Sequence, residues 1–174
     1  MKRATGISTS FDYLNRETFR EYSKAGVTAF ELSVQLNHHA LIDLSEICRS
    51  AREEGVDTWS FHLPFYPFEV INPASLDASV RKNTVERLSA LIKKAASHGF
   101  KHAVVHPSGE PISDTDRAAS VEYAKESLYS LACAASESGI VLAVEDLPRT
   151  CLGRNSSDML ALLSADERLR SCFD

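Results

Sequence analysis

The chain has 174 residues, of which 44% are hydrophobic and 25% are charged, with 7 Gly and 6 Pro. This composition is typical of a globular domain and excludes disordered, collagen-like and low-complexity classes. The formal net charge of -5 disfavours nucleic acid as a partner, because a negative surface repels a polyanion. No apolar run is long enough to span a membrane, and no apolar stretch follows the first basic residues, so we expect a cytoplasmic protein without a membrane partner.

The predicted elements alternate between strand and helix. An apolar run at residues 4 to 9 predicts the first strand. A helical stretch ending in glycine, followed by a short apolar run that closes on a polar residue, then recurs four times. Glycine readily adopts the left-handed conformation after a helix, and the Val, Phe, Trp and Ile that follow it favour strands. These four copies predict strands at residues 28 to 33, 57 to 62, 102 to 106 and 140 to 145, and the run LRSCFD predicts a sixth strand at residues 170 to 174.

The segments that precede these strands have apolar residues at helical spacing. One runs from about residue 40 to 54, and the two longer ones begin after Asp77 and Ser113, which we predict as N-caps. The near-continuous apolar run IVLAV at residues 140 to 144 is typical of a parallel strand that helices cover on its outer face. The chain is therefore predicted to be an α/β protein with a parallel sheet.

Two parallel architectures compete, the open doubly wound sheet and the closed (β/α)8 TIM barrel. Neither GxGxxG nor GxxxxGK[ST] follows the first strand, so nucleotide-binding versions of the open sheet lack support. The repeated glycines recur about every 38 residues, so eight units would need roughly 300 residues, near the usual barrel size. We therefore expect residues 1–174 to form a single, incomplete barrel domain of about five βα units plus a sixth strand, with the C-terminal part missing.

Four polar side chains close the predicted strands and carry the candidate chemistry. They are His62, His106, Glu145 and Asp174. In a parallel barrel such residues meet at the C-terminal rim, where imidazole and carboxylate groups can bind a divalent metal ion. A lone histidine at a strand end is more often a hydrogen-bonded structural residue, but four matching positions favour a metal site.

Three motifs resemble those of the xylose-isomerase-like superfamily of TIM barrels, which includes sugar phosphate isomerases and epimerases and zinc-dependent apurinic-site endonucleases. They are HAVVHPS at 102 to 108, VLAVEDLPR at 141 to 149 and CFD at 172 to 174. The resemblance implies that Glu145 and Asp174 are metal ligands, as in the epimerases, and that His62 and His106 also bind metal, as in the endonucleases. It further implies two more ligands and a second catalytic carboxylate beyond Asp174.

The resemblance implies proton abstraction next to a carbonyl, through an ene-diolate, in a sugar or sugar phosphate. Glu145 is the candidate catalytic base as well as a ligand, and the metal is Mn, Zn, Co or Mg. Asp146 departs from the family, which usually has Asn there. Two alternatives stay open: a zinc-dependent apurinic-site endonuclease-like hydrolase, and a catalytically inactive fragment that binds a ligand or forms a homo-oligomer.

Three residues are candidates for substrate binding, each with a structural alternative. Glu31 lies near the end of the second predicted strand, where it could contact substrate at the barrel mouth or instead pair with a neighbouring Arg or Lys. Phe65 could form an apolar wall over the sugar or simply pack under its Pro-flanked loop. Arg149 suits a phosphate or carboxylate, or is a solvated loop charge.

The cysteines do not indicate a metal or disulfide framework. Without a CxxC pair, four widely spaced thiols favour the reduced state, and we expect all of them to be buried and unreactive. They are Cys48, Cys133, Cys151 and Cys172.

Overall fold

A computed structural model of the chain describes residues 5–10, 14–38 and 42–173. Within these residues, six strands alternate with five α-helices, and a short 3-10 helix (Leu36–His38) follows the second strand. The strands are β1 (Gly6–Ser10), β2 (Ala29–Ser33), β3 (Asp57–His62), β4 (His102–Val105), β5 (Val141–Glu145) and β6 (Arg170–Cys172). The helices are α1 (Arg16–Lys24), α2 (Leu44–Glu53), α3 (Ala78–Ser97), α4 (Arg117–Glu137) and α5 (Ser156–Leu163).

All six strands form one parallel sheet in the order β1-β2-β3-β4-β5-β6. Each strand pairs with its neighbours in the sequence, which is the topology of a TIM barrel and excludes the open doubly wound sheet, whose strand order reverses. The predicted α/β barrel class is therefore confirmed, with six of the eight strands that a closed barrel contains.

The glycines and N-caps explain most of the element boundaries. All four glycines of the recurring phrase have positive φ, as expected of residues that end a helix in the left-handed conformation; Gly99 has a φ of +92°. Asp77 caps α3, where its side chain accepts a hydrogen bond from Ser79 N at 2.7 Å. The predicted cap at Ser113 is wrong: α4 begins three residues later, after Asp116, because Ser113 instead closes a turn by accepting from Asp116 N.

The two faces of the sheet differ in chemistry. On the helix-facing side, aromatic rings form a fully buried cluster in which the Phe19–Phe30 and Phe61–Phe100 centroids lie 5.0 and 5.4 Å apart. The opposite face lines the barrel interior and bears polar residues. The pairing of β2 with β3 shifts by one residue and skips Trp59, so that Glu31 pairs with Ser60 and Ser33 with His62. The polar side chains of both strands therefore share the interior face. The interior is therefore the polar side of the sheet.

None of the helices among the described residues is both long and apolar enough to cross a membrane.

Candidate metal centre

The carboxyl ends of three neighbouring strands bring His62, His106 and Glu145 together. His62 ends β3, His106 directly follows β4, and Glu145 ends β5. The parallel register, in which His62 pairs with Val104 and Val104 with Ala143, places all three side chains on the interior face. Two of them are almost completely buried and His106 is partly buried.

The three side chains are in direct contact. His62 Nε2 lies 2.9 Å from Glu145 Oε2, and His106 Nε2 lies 3.0 Å from the same oxygen. One ligand atom from each residue lies within 4.8 Å of the others, a spacing that a single metal ion can bridge. Asp174, the fourth predicted ligand, lies outside the described residues.

The backbone orients one of the imidazoles. His62 Nδ1 lies 2.9 Å from the carbonyl oxygen of Leu63, to which it donates a hydrogen bond. A histidine that donates from one ring nitrogen presents the other as a ligand, and such an outer hydrogen bond is typical of metal-bound imidazoles. Nε2 of His62 is therefore the atom directed at Glu145 and at a metal ion in this position.

Charge pairing within the cluster shifts two pKa values. Burial raises the pKa of Glu145, but hydrogen bonds and charge interactions with His106 and His62 outweigh it and lower the pKa to about 2. Burial lowers the pKa of His62, whereas the hydrogen bond to Glu145 and the negative charges of Glu145 and Glu31 raise it, and the net direction is upward. The protein thus holds Glu145 ionised beside two imidazoles, and a divalent cation can replace their protons.

Phe65 covers the cluster on its outer side. Its ring stacks on His106 with a centroid distance of 4.1 Å and an interplanar angle of 15°, and it meets the edge of His62 at 5.7 Å. Both proposed roles, an apolar wall and packing under the loop, are compatible with this position, because Phe65 packs on the histidines and is still 37% exposed.

The loops that follow β3, β4 and β5 are joined to one another around the cluster. Asn72 Oδ1, in the β3–α3 loop, accepts a hydrogen bond from Gly109 N at 3.0 Å, and Phe68 of the same loop packs against Gly109. Ser108 Oγ accepts from Leu152 N of the β5–α5 loop at 2.9 Å. These contacts hold the loops at fixed positions beside the two histidines.

A cavity of about 700 Å³ opens above the cluster, a size suitable for a small molecule. Its walls come from the carboxyl ends of the strands and from the three joined loops. The residues that the sequence analysis singled out and that line it are Glu31, His62, Phe65, His106, Glu145 and Arg149.

A model of the xylose isomerase-like TIM barrel family matches residues 19–174. The chain belongs to this family. The match covers β2 to β6 and includes all three residues of the cluster.

Several solved structures have a similar fold. A D-psicose 3-epimerase from Clostridium cellulolyticum H10 has a TM-score of 0.80 at 18% identity, with 99% of this chain and 63% of that chain covered. An L-ribulose 3-epimerase has a TM-score of 0.78 at 19% identity, with coverages of 99% and 61%. A family 2 AP endonuclease from Brucella melitensis has a TM-score of 0.75 at 18% identity, with coverages of 98% and 67%.

The chain spans a little over three fifths of the length of the two epimerases. A search of the curated proteins finds no match to the sequence.

Glu31, in the interior of this xylose isomerase-like barrel, is hydrogen-bonded to two serines. Among residues 5–10, 14–38 and 42–173, the structure shows no ion pair of Glu31 with Arg or Lys; instead Ser8 Oγ donates to Oε1 at 2.9 Å, and Ser60 Oγ donates to Oε2 at 2.6 Å. The strand register explains these contacts, because Glu31 pairs with Ser8 of β1 on one side and with Ser60 of β3 on the other, and all three side chains face the interior. Glu31 is thus an interior carboxylate held by hydroxyl groups.

Arg149 lies at the rim of the barrel with its side chain 73% exposed. Its backbone is left-handed, with a φ of 63°, and its Nη2 lies 3.7 Å from Glu110 Oε1. Glu110 follows the HPSG motif in the β4–α4 loop and was missed by the sequence analysis. The signal available in the sequence was its place in a loop on the catalytic side of the barrel.

The expectation that all four cysteines are buried is wrong for two of them. Cys48 and Cys151 are buried, but Cys133 and Cys172 are half-buried. Cys172 lines the cavity. It pairs with Glu145 in the register of β5 and β6, so both side chains face the interior.

Proposed function

We propose that the chain forms the metal-binding part of a metal-dependent isomerase or epimerase that acts on a sugar or sugar phosphate. The observation that carries the proposal is the convergence of His62, His106 and Glu145 within 4.8 Å of one another beneath a cavity of about 700 Å³. Two imidazoles and a carboxylate suit Mn, Zn and Co, while Mg binds such nitrogen-rich sites less well. Two ketose 3-epimerases among the solved structures with this fold add support.

Glu145 is the candidate catalytic base in this proposal. His62, His106 and Glu145 would hold a divalent ion, which would polarise the substrate carbonyl and so acidify the neighbouring C–H bond. The ionised Glu145 carboxylate takes the proton from that carbon, and the electron pair of the C–H bond moves to give the ene-diolate. Return of this proton from Glu145 to the neighbouring carbon completes isomerisation, whereas epimerisation requires a proton from a second acid on the opposite face of the ene-diolate.

The remaining candidates bind and shield the substrate. Glu31 accepts hydrogen bonds from sugar hydroxyls at the floor of the cavity, Phe65 excludes water above the histidines, and Arg149 contacts the substrate at the rim. Each side chain lines the cavity, and Phe65 and Glu31 are already held by named contacts.

Cobalt titration followed by visible absorption tests the metal site. We expect one Co²⁺ per chain, and we expect His62→Ala, His106→Ala and Glu145→Gln each to weaken binding by at least tenfold. His98→Ala is the matched control, since His98 lies at the C-terminal end of α3, at the opposite end of the barrel. Equal loss in the control, or unchanged binding in the three site variants, contradicts the proposed metal site.

Deuterium exchange tests the reaction. We expect the metal-loaded chain to exchange the proton next to the carbonyl of a ketose in D2O, and Glu145→Gln to abolish the exchange. Metal binding without exchange for any ketose would leave the alternative of a catalytically inactive fragment.

A second candidate is the zinc-dependent apurinic-site endonuclease-like hydrolase. The paired imidazoles favour it, because two histidines suit zinc. One of the solved structures with this fold is also a family 2 AP endonuclease. The formal net charge of -5 opposes it, because a phosphate backbone requires a positive surface. Cleavage of abasic DNA by the zinc-loaded chain, with no exchange on ketoses, would identify this second activity instead.

A further inference from the structure

The charged groups that line the cavity are mostly carboxylates. Among the described residues, the lining contains Glu31, Glu110, Glu145 and Asp146 but only one guanidinium, that of Arg149. Glu31 and Glu110 belong to this lining in addition to Glu145, the carboxylate of the proposed metal site. Such a cavity repels a phosphate group.

The single cation of the lining already has an acidic neighbour. Glu110 Oε1 lies 3.7 Å from Arg149 Nη2, and Glu110 Oε2 accepts a hydrogen bond from Cys151 Sγ at 3.5 Å. The Glu110 side chain is 30% exposed, so it lies deeper than the Arg149 side chain, which is 73% exposed. An incoming phosphate therefore meets the Glu110 carboxylate as well as the guanidinium.

The polar groups of the lining suit hydroxyl groups better than phosphate. A carboxylate accepts hydrogen bonds and donates none, whereas sugar hydroxyls donate and phosphate oxygens mainly require donors. At the floor, both oxygens of Glu31 are held by serine hydroxyls and keep lone pairs for further donors. The lining is thus complementary to an uncharged polyhydroxyl compound.

We propose that the cavity selects an unphosphorylated sugar over its phosphate ester, and that Glu110 is a specificity-determining residue because it opposes the charge of Arg149. This inference rests on the proposed function and narrows it to one substrate class. Glu110 acts on the selectivity between neutral and anionic ligands and takes no part in proton transfer.

The test compares D-fructose with D-fructose 6-phosphate on the Co²⁺-loaded chain, with both dissociation constants measured by ligand-observed NMR. We expect the neutral ketose to bind more tightly. Glu110→Gln should shift the ratio of the two dissociation constants toward the phosphate ester by about tenfold, the scale of one like charge at a partly exposed rim. Arg149→Gln should shift the ratio in the opposite direction.

Glu137→Gln is the matched control, because it removes the same charge at the exposed C-terminal end of α4 and should leave the ratio unchanged. Equal or tighter binding of the phosphate ester by the unmodified chain overturns the inference, as does a ratio that Glu110→Gln leaves unchanged. Absence of binding by either ketose also overturns it. The Co²⁺ titration separates these results from failure of the metal site, since cobalt binding is measured before any sugar is added.

Discussion

At the residue scale, the environment of each imidazole determines how well it can serve as a ligand. His62 is fixed by its hydrogen bond to the Leu63 carbonyl, whereas the His106 ring is held by stacking against Phe65. A stacked aromatic neighbour restricts rotation of the imidazole and excludes water from one face. Phe65 is therefore a positioning residue for His106 as well as part of the cavity wall.

Phe65→Ala should weaken Co²⁺ binding by roughly three- to tenfold, since aromatic pairs contribute about 0.5–1.5 kcal/mol beyond their buried area. The measurement is the same cobalt titration. Tyr66→Ala is the control, because Tyr66 belongs to the same loop but is 63% exposed and contacts Phe68 instead. Equal affinities of the Phe65 variant and the unmodified protein would show that stacking does not position His106.

The cysteines should differ in their reactivity. Burial raises the pKa of Cys48 to about 11; burial, followed by the negative charge of Glu110, raises that of Cys151 to about 11. At pH 8 a thiol of that pKa is roughly 0.1% thiolate, against about a quarter for an ordinary thiol. Because the thiolate is the nucleophile, both should react with iodoacetamide far more slowly than the half-buried Cys133, and faster as the pH rises toward 11.

Mass spectrometry of the partially alkylated native protein gives the order of reaction, and the urea-unfolded chain is the control in which all four thiols should react alike. Alkylation of Cys48 as fast as that of Cys133 in the native protein would contradict the expected protection.

At the element scale, the three loops at the carboxyl end of the sheet act as a connected unit. The contact between Asn72 and Gly109 joins the loops that follow β3 and β4, and the contact between Ser108 and Leu152 extends the connection to the loop that follows β5. Loops that are mutually hydrogen-bonded can hold a ring such as Phe65 at a defined distance from a strand residue. The geometry of the site therefore depends on residues that do not contact the metal cluster.

Gly109→Ala should destabilise this unit. A Cβ atom at position 109 would lie 2.9 Å from Phe68 Cβ, so the β3–α3 loop must move, and overpacking of this kind costs about 1–3 kcal/mol. We expect a lower free energy of unfolding in urea and weaker Co²⁺ binding. Gly6→Ala is the control, since among the residues that the structure describes an added Cβ there meets Ala29 O alone, at the ordinary contact distance of 3.8 Å. Unchanged stability and affinity in Gly109→Ala would argue against a rigid junction.

At the scale of the whole molecule, the sheet has two edges. Among the described residues, β1 and β6 each pair with one strand only. Near the edge at β6, the interior residue Val141 is 39% exposed, and Phe173, which follows β6, is 77% exposed. Closed barrels avoid such edges by pairing the first strand with the last. Unpaired backbone groups beside exposed apolar side chains promote association between copies.

We expect the 174-residue chain to self-associate through this open side. Static light scattering after size-exclusion chromatography should give a mass that rises with protein concentration, because association between the sheet edges of two copies depends on concentration. Val141→Lys should lower the apparent mass, since a charge on the exposed interior face opposes the contact. A monomeric mass at all concentrations would contradict the expected association.

The sequence alone was sufficient to predict the order of the elements and the ends of β2, β3 and β5. The bounds of the outer strands were wrong, since β1 spans residues 6 to 10 rather than 4 to 9 and β6 ends at Cys172 rather than at residue 174. Glycine after a helix and β-branched residues in short runs are local signals, and the parity of a strand determines which of its residues share a face. For this reason the sequence alone predicts that His62, His106 and Glu145 lie at one rim. The late start of α4 was missed because Ser113 and Asp116 both suit an N-cap, and only the turn geometry distinguishes them.

Only the tertiary structure decided the contacts between loops and across strands. The stacking of Phe65 on His106, the approach of Glu110 to Arg149 and the serine pairing of Glu31 each join residues from different βα units. Loop paths have no periodicity from which their direction could be read, and the register shift beside Trp59 changes which residues of β3 flank Glu31. The sequence therefore determined which side chains reach the rim, while packing of the loops decided what surrounds them.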